Sequence, residues 1–183
     1  MGLKDFFTSR FKKEPETVDP ISQLFLADLK KGYFVDYDLK SWEVVSENRY
    51  DWGSDDLTYE WQIATHDETL FLEREPDDED FWTVSSKIPF QSLDSQVRHQ
   101  LTKTETAPET ILFEGTTYYL DESGGALFYR DDSQTGKEVF KWDYCDDSET
   151  LWLTVEQWGE PDYELSKGKT VQEYQFSNIL PNA

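Results

Sequence analysis

The sequence contains very little sulfur and very little histidine. Cys145 is the only cysteine, Met1 the only methionine, and His66 and His99 the only histidines among 183 residues. A single cysteine excludes an intrachain disulfide and a cysteine-based zinc site. A chain of this length can bury a core of its own without such staples. We therefore expect a protein that holds no metal and no other cofactor.

Basic residues are also scarce. Seventeen Lys and Arg face 39 Asp and Glu, which gives a net charge of −22. So acidic a chain repels the phosphates of nucleic acids, and it favours cationic partners instead. No apolar run approaches the roughly 20 residues of a membrane-spanning helix. The N-terminal residues lack the apolar segment of a secretory signal, so the sequence predicts a cytoplasmic protein.

Catalytic motifs are missing as well. The sequence has no nucleophile elbow, zinc-protease helix, phosphate-binding loop or dinucleotide fingerprint. His66 and His99 fall in a predicted loop and a predicted linker, with no nucleophile in a motif beside them. Acidic runs such as residues 77–80 lack the spacing of a calcium loop and are typical of hairpin tips. We therefore expect no catalytic and no metal-binding residues, and a protein that is not an enzyme.

What the sequence does contain is an internal repeat. Residues 59–75 match residues 140–156 at a constant offset of 81, with six identities in 17 positions. The identical pairs are Trp61/Trp142, Glu68/Glu149, Thr69/Thr150, Leu70/Leu151, Leu72/Leu153 and Glu75/Glu156. The repeat predicts two copies of one small structural unit.

The composition and the turn signals make that unit a β structure. Seven Trp, ten Tyr and twelve Phe favour strands, and residues 57–64 and 68–74 form a predicted hairpin. We predict a mainly β protein with two related antiparallel units of about five strands each, barrel- or sandwich-like. The predicted units are residues 21–87 and 110–183, joined by a linker at 88–109. Gly124-Gly125 is interpreted as a hairpin turn.

The N-terminal residues differ from the rest. Residues 1–13 hold four basic residues against one acidic residue, a net charge of +3, whereas the remainder carries −25. Their spacing predicts a short amphipathic helix, on a tether that ends at residue 20. Such a helix suits an anionic membrane surface or a groove on a partner protein. The candidate docking residues are Leu3, Phe6, Phe7, Phe11, Lys12 and Lys13.

Tryptophan is more abundant than two small cores require. Trp52, Trp82, Trp152 and Trp158 are candidates for a surface that binds a cation, because aromatic faces and carboxylates both attract ammonium groups. A polyamine or a basic peptide has the matching chemistry. The alternative is that these rings fill the interface between the two units.

Several segments resemble a known bacterial family, domain of unknown function 4178. They are residues 26–35, 42–45, 113–118, 142–144, 155–159 and 176–181, so the resemblance spans about residues 24–181. It implies no activity and no catalytic residues. It does imply genes near phage-shock-type membrane-stress proteins and S-adenosylmethionine decarboxylase-like proteins.

Two functional hypotheses follow from these patterns. The first is a non-enzymatic cytoplasmic adaptor in envelope-stress physiology, which docks to a protein or to the inner membrane face through its N-terminal helix. The alternative is a binding module for a cationic small molecule such as a polyamine.

Overall fold

The computed structural model describes residues 24–104 and 106–182. Within these residues, eleven strands form a single antiparallel sheet. The strands are β1 (Phe34–Tyr37), β2 (Lys40–Gly53), β3 (Asp56–Ala64), β4 (Thr69–Glu75), β5 (Phe81–Ile88), β6 (Thr110–Phe113), β7 (Thr116–Arg130), β8 (Lys137–Cys145), β9 (Leu151–Gly159), β10 (Asp162–Val171) and β11 (Phe176–Leu180). The mainly β prediction is therefore confirmed.

Helical structure in the described part of the chain is limited to short pieces. One α-helix, α1, covers Ser95–His99 and continues as a π-helical turn over Gln100–Thr104. Three 3₁₀ turns cover Leu26–Asp28, Phe90–Ser92 and Glu173–Gln175. The predicted N-terminal helix lies outside the described residues.

The sheet closes on itself. Its strand order is β11-β1-β2-β3-β4-β5-β10-β9-β8-β7-β6, and β2 also pairs with β7. That extra pairing places Asn48 opposite Arg130 and Asp51 opposite Leu127. Eight strands, β2-β3-β4-β5-β10-β9-β8-β7, thus form a closed ring with an interior, which we call the lumen. The strands β1, β11 and β6 extend the sheet outside the ring.

The two longest strands, β2 and β7, each contain a bulge, and each pairs both within the ring and with an extension strand. The register of β2 shifts between Val44 and Ser46, and that of β7 shifts between Leu120 and Glu122. Because a bulge adds one residue, it reverses which side chains face each side of the sheet. Before each bulge, the even-numbered side chains pack outside the ring. After it, the even-numbered side chains face the lumen.

The outer face of the ring is apolar and is covered by the extensions. A first apolar cluster comprises Leu26, Leu29, Val35, Tyr37, Trp42, Val44, Trp61, Ile63, Leu72, Trp82, Val84, Val171 and Phe176. A second comprises Leu93, Leu101, Ile111, Phe113, Tyr118, Trp142, Tyr144, Leu153, Val155 and Leu165. The repeated residues Trp61 and Trp142 occupy separate clusters, and Trp61 Nε1 donates to the carbonyl of Leu29 at 2.8 Å.

Some of the structural elements predicted from the sequence agree with this fold, and others do not. The predicted hairpin at 57–64 and 68–74 corresponds to β3 and β4. The interpretation of Gly124-Gly125 as a turn is wrong, because both glycines lie within β7 and pair with β8. Both repeated segments belong to one continuous sheet, and the division into two units stays a prediction.

We predict that Gly168 is required where β5 and β10 join the two halves of the ring. A Cβ at Gly168 would lie 2.9 Å from both Ser85 Cβ and the Val84 carbonyl oxygen. Gly168→Ala should therefore lower the unfolding free energy by about 1–3 kcal/mol, as overpacking does. Urea unfolding measures this change.

Gly125→Ala is the matched control, since its Cβ would meet Phe140 Cδ2 at 3.8 Å, an ordinary contact. Equal unfolding free energies for the two variants would contradict a close approach between the backbones of β5 and β10 at Gly168.

Candidate functional site in the lumen

The lumen contains a cavity of about 370 Å³. Alternate residues of the ring strands line it, including Glu60 on β3, Glu73 on β4, Lys87 on β5 and Lys141 on β8. Their sequence neighbours pack in the outer apolar clusters, so each strand buries a polar face and an apolar face. The volume is in the range of small-molecule pockets, about 300–1,000 Å³.

Lys141 lies at the centre of the cavity wall and is almost fully buried. Its side chain is 4% exposed, and its ammonium lies 3.1 and 3.2 Å from the two carboxylate oxygens of Glu73. The ammonium also lies 4.7 Å from the ring centre of Tyr50 and 5.7 Å from that of Trp52. Carboxylate and aromatic faces thus surround a buried cation, and both contacts favour its charged form.

The electrostatics of Lys141 follow from that environment. Burial alone would lower the pKa of its ammonium, but Asp143, Glu73 and Glu156 outweigh burial and raise that pKa. Lys141 therefore carries its charge at every physiological pH. It is a fixed cation within the lumen.

A chain of polar contacts crosses the lumen beside Lys141. The hydroxyl of Tyr50 lies 2.8 Å from Glu156 Oε1 and 3.3 Å from Glu60 Oε2. A phenol carries one hydrogen, so we assign it to the shorter contact, with Glu156 as acceptor. The Tyr50 oxygen then accepts a hydrogen bond from Glu60 whenever that carboxyl is protonated. Asn48 Nδ2 donates to the other Glu60 oxygen at 2.9 Å.

The two carboxyl groups that contact the Tyr50 hydroxyl, Glu60 and Glu156, differ in charge state. Burial, followed by repulsion from Glu156 and Glu73, raises the pKa of Glu60 to about 7. For Glu156, burial works in the same upward direction, but attraction to Lys87 and Lys141 outweighs it and lowers the pKa. Lys87 forms an ion pair with Glu156 and another, at 2.9 Å, with Glu164. Glu156 is therefore ionised at neutral pH, while Glu60 titrates near neutral pH.

The cavity has more carboxyl groups than cations. Two lysines line it, Lys87 and Lys141, and both are already paired with carboxylates. Nine acidic residues line it: Asp56, Glu60, Glu73, Glu75, Asp77, Asp121, Glu122, Asp143 and Glu156. Within residues 24–104 and 106–182, Glu75, Asp121 and Glu122 form no ion pair. The Glu75 side chain is exposed overall, but partial burial of its carboxyl group, and then the neighbouring Glu73, raise its pKa.

Aromatic rings stand beside these unpaired carboxyl groups. Phe81 and Trp152 pack edge to face at 5.5 Å and both line the cavity. The indole N–H of Trp152 donates to Thr170 Oγ1 at 2.9 Å, and that of Trp52 donates to Thr58 Oγ1 at 2.9 Å. These hydrogen bonds fix the ring orientations, so the aromatic walls are in place before any ligand arrives.

The four tryptophans predicted as a cation-binding surface do not lie together. Trp52 and Trp152 line the lumen cavity. Trp158 is half-buried at the other end of the lumen, where it packs against Phe128 at 5.1 Å. Trp82 is 3% exposed in the first apolar cluster, stacked on Trp61. The six candidate docking residues lie outside the described residues.

Sequence reasoning missed the charged residues at the heart of the site. Glu60 and Lys141 each stand between two aromatic residues along a strand, a pattern that also fits solvent-facing positions. One signal was available: they occupy equivalent positions of the repeat, with opposite charge. Among the described residues, no group of His, Cys, Asp and Glu is arranged to hold a metal ion.

The fold and its interior define the class of protein: a closed antiparallel β structure with a charged lumen. The chain belongs to the family described as Domain of unknown function (DUF4178), whose model matches residues 30–173. This confirms the resemblance found in the sequence. An uncharacterized protein of Aquifex aeolicus (strain VF5) is 26% identical over 182 residues, which cover 98% of this chain and 96% of that protein. No solved structure matches the chain.

Helices in the part of the chain that the structure describes are all too short or too polar to cross a membrane.

We predict that Glu60 makes stability fall as pH rises. A carboxyl whose pKa is higher in the folded state costs stability once it ionises, so the loss develops between its ordinary 4.5 and about 7. A rise of this size corresponds to about 3 kcal/mol. Glu60→Gln should be more stable than wild type at pH 8 by up to that amount and equal to it at pH 4. Urea unfolding at both pH values measures the difference.

Glutamine preserves the contacts of protonated Glu60, because its oxygen accepts from Asn48 and its amide donates to Tyr50. A variant equally destabilised at pH 4 and pH 8 would contradict the assigned protonation.

We also predict that Lys141 and Glu73 stabilise the fold only as a pair. Lys141→Met leaves the Glu73 carboxylate without its cation, and breaking a buried pair costs about 3–5 kcal/mol. Adding Glu73→Gln should recover much of that loss, because the stranded charge is removed. Thermal and urea unfolding of both variants measure the coupling. Additive losses in the double variant would show that the two side chains act independently.

Proposed function

We propose that this protein binds a small organic cation in the lumen cavity. The observation that carries the proposal is the charge balance of the cavity. Among the described residues, both of its lysines are already paired with carboxylates, while Glu75, Asp121 and Glu122 form no ion pair. A polyamine has the matching chemistry, since its ammonium groups pair with carboxylates and its methylene chain packs on aromatic rings.

The protein's own lysine supports this choice of ligand. Lys141 holds an alkyl-ammonium group against Glu73, Tyr50 and Trp52. A ligand ammonium near Glu75 and Glu122 would meet a similar combination, with Phe81 and Trp152 as the aromatic walls. Inorganic cations gain less from such walls, because they have no apolar stem to bury.

Cation binding also offers a reason for the raised pKa of Glu75. An incoming ammonium favours the ionised carboxylate, so binding would release a proton wherever Glu75 is still protonated. The proposal therefore includes a tighter interaction at pH 8 than at pH 6.

We predict that spermidine binds the full chain with saturable heat in isothermal titration calorimetry at about 150 mM salt. Screening at that salt weakens nonspecific surface attraction. Glu75→Gln combined with Glu122→Gln should weaken binding by at least about tenfold, a loss of about 1.4 kcal/mol. Both side chains are exposed at the cavity mouth, so the fold should tolerate the change.

The matched control is Glu43→Gln with Glu109→Gln, two exposed acids that do not line the cavity. It removes the same charge and should bind spermidine like wild type. Heat that disappears at this salt, or equal weakening by both double variants, would contradict a site in the lumen.

The adaptor hypothesis concerns different residues. It rests on residues 1–20, which lie outside the described residues, and it stays a prediction. Deleting residues 1–16 tests it, because unchanged localisation and partner recovery would rule out docking by that segment.

A further inference from the structure

A second cavity lies at the opposite end of the lumen. Its volume is about 450 Å³, and it meets the first cavity at Glu60 and Lys87, which line both. Phe71, Phe128 and Trp158 give it an aromatic lining. The polar layer of Tyr50, Glu60 and Glu156 separates the two spaces.

This second cavity lacks the acidic excess of the first. Arg130, Lys137 and Lys87 line it with Glu60 and Glu164, and Lys87 is already paired with Glu156 and Glu164. Within residues 24–104 and 106–182, Arg130 forms no ion pair. The ammonium of Lys137 lies 4.7 Å from the ring centre of Trp158 and 4.0 Å from Asp162.

Trp158 adds an unused hydrogen-bond donor. Its indole N–H is buried and has no acceptor among the described residues. Leaving a buried donor unpaired costs about 1–3 kcal/mol. Because this N–H is closed to water, a ligand in the cavity meets the face of the Trp158 ring, beside the Lys137 ammonium, rather than the N–H.

The repeat relates the two cavities. At the offset of 81, Phe71 corresponds to Trp152, Gln62 to Asp143, and Glu60 to Lys141. The first cavity is lined by Trp152 and Asp143, and the second by Phe71 and Gln62. Corresponding positions thus keep an aromatic wall, whereas the charged positions differ, since Asp143 corresponds to a neutral amide and Lys141 to a carboxyl group.

We propose that the second cavity binds a small anion with a flat apolar body, such as an aromatic carboxylate or sulfonate. The aromatic part packs against Phe71, Phe128 and Trp158. The anionic group pairs with Arg130 and Lys137. This inference does not depend on cation binding in the first cavity.

The probe for the test is 8-anilino-1-naphthalenesulfonate, an aromatic sulfonate whose fluorescence rises in apolar surroundings. The full chain should bind one equivalent with saturable fluorescence. Arg130→Gln combined with Lys137→Gln should weaken binding at least about tenfold.

Lys40→Gln with Lys167→Gln is the matched control, because it removes the same charge at exposed sites outside this cavity. Trp158 also lines a groove beside Gly125, whereas Arg130 does not, so the Arg130 change distinguishes the two sites. No saturable binding up to about 1 mM probe, or equal affinity for the cavity variant and the control, would overturn the proposal.

Discussion

The burial of Lys141 is the constraint on which the rest of the structure depends. Closing an antiparallel sheet into a ring places one face of every strand in a narrow interior, where an unpaired charge is costly. Lys141 meets that requirement through Glu73 and the rings of Tyr50 and Trp52. The remaining carboxyl groups then either share a second lysine, as Glu156 does, or shift toward the protonated form, as Glu60 does.

The inside-out distribution of side chains follows from this arrangement. In many closed sheets the interior is the hydrophobic core, but here the two larger apolar clusters lie outside the ring under β1, β11, β6 and α1. The extensions cover Trp61 on one side and Trp142 on the other. The lumen holds only a smaller apolar cluster of Tyr50, Ala126 and Val139, so it has room for two cavities and for polar side chains that ligands could use.

The sequence predicted local structure better than closure. The hairpin of β3 and β4 was visible because its alternation and its turn lie within 20 residues. The pairing of Asn48 with Arg130 joins distant segments, and the flanking Gly124-Gly125 looked like a turn. Trp52 and Trp152 were identified by their chemistry, but Trp82 packs in the core. Glu60 and Lys141 were missed because only the closed ring turns their side of the strand into an interior.

The most direct test of this account is a ¹H–¹⁵N spectrum of the lysine ammonium groups, with Lys141→Met used for assignment. A buried, hydrogen-bonded ammonium exchanges its hydrogens slowly, whereas ammonium groups in water exchange quickly. The account predicts a protected Lys141 signal at neutral pH that persists, still charged, at a pH where exposed lysines begin to titrate. A Lys141 ammonium that exchanges and titrates like the exposed lysines would contradict a lumen organised around a buried cation.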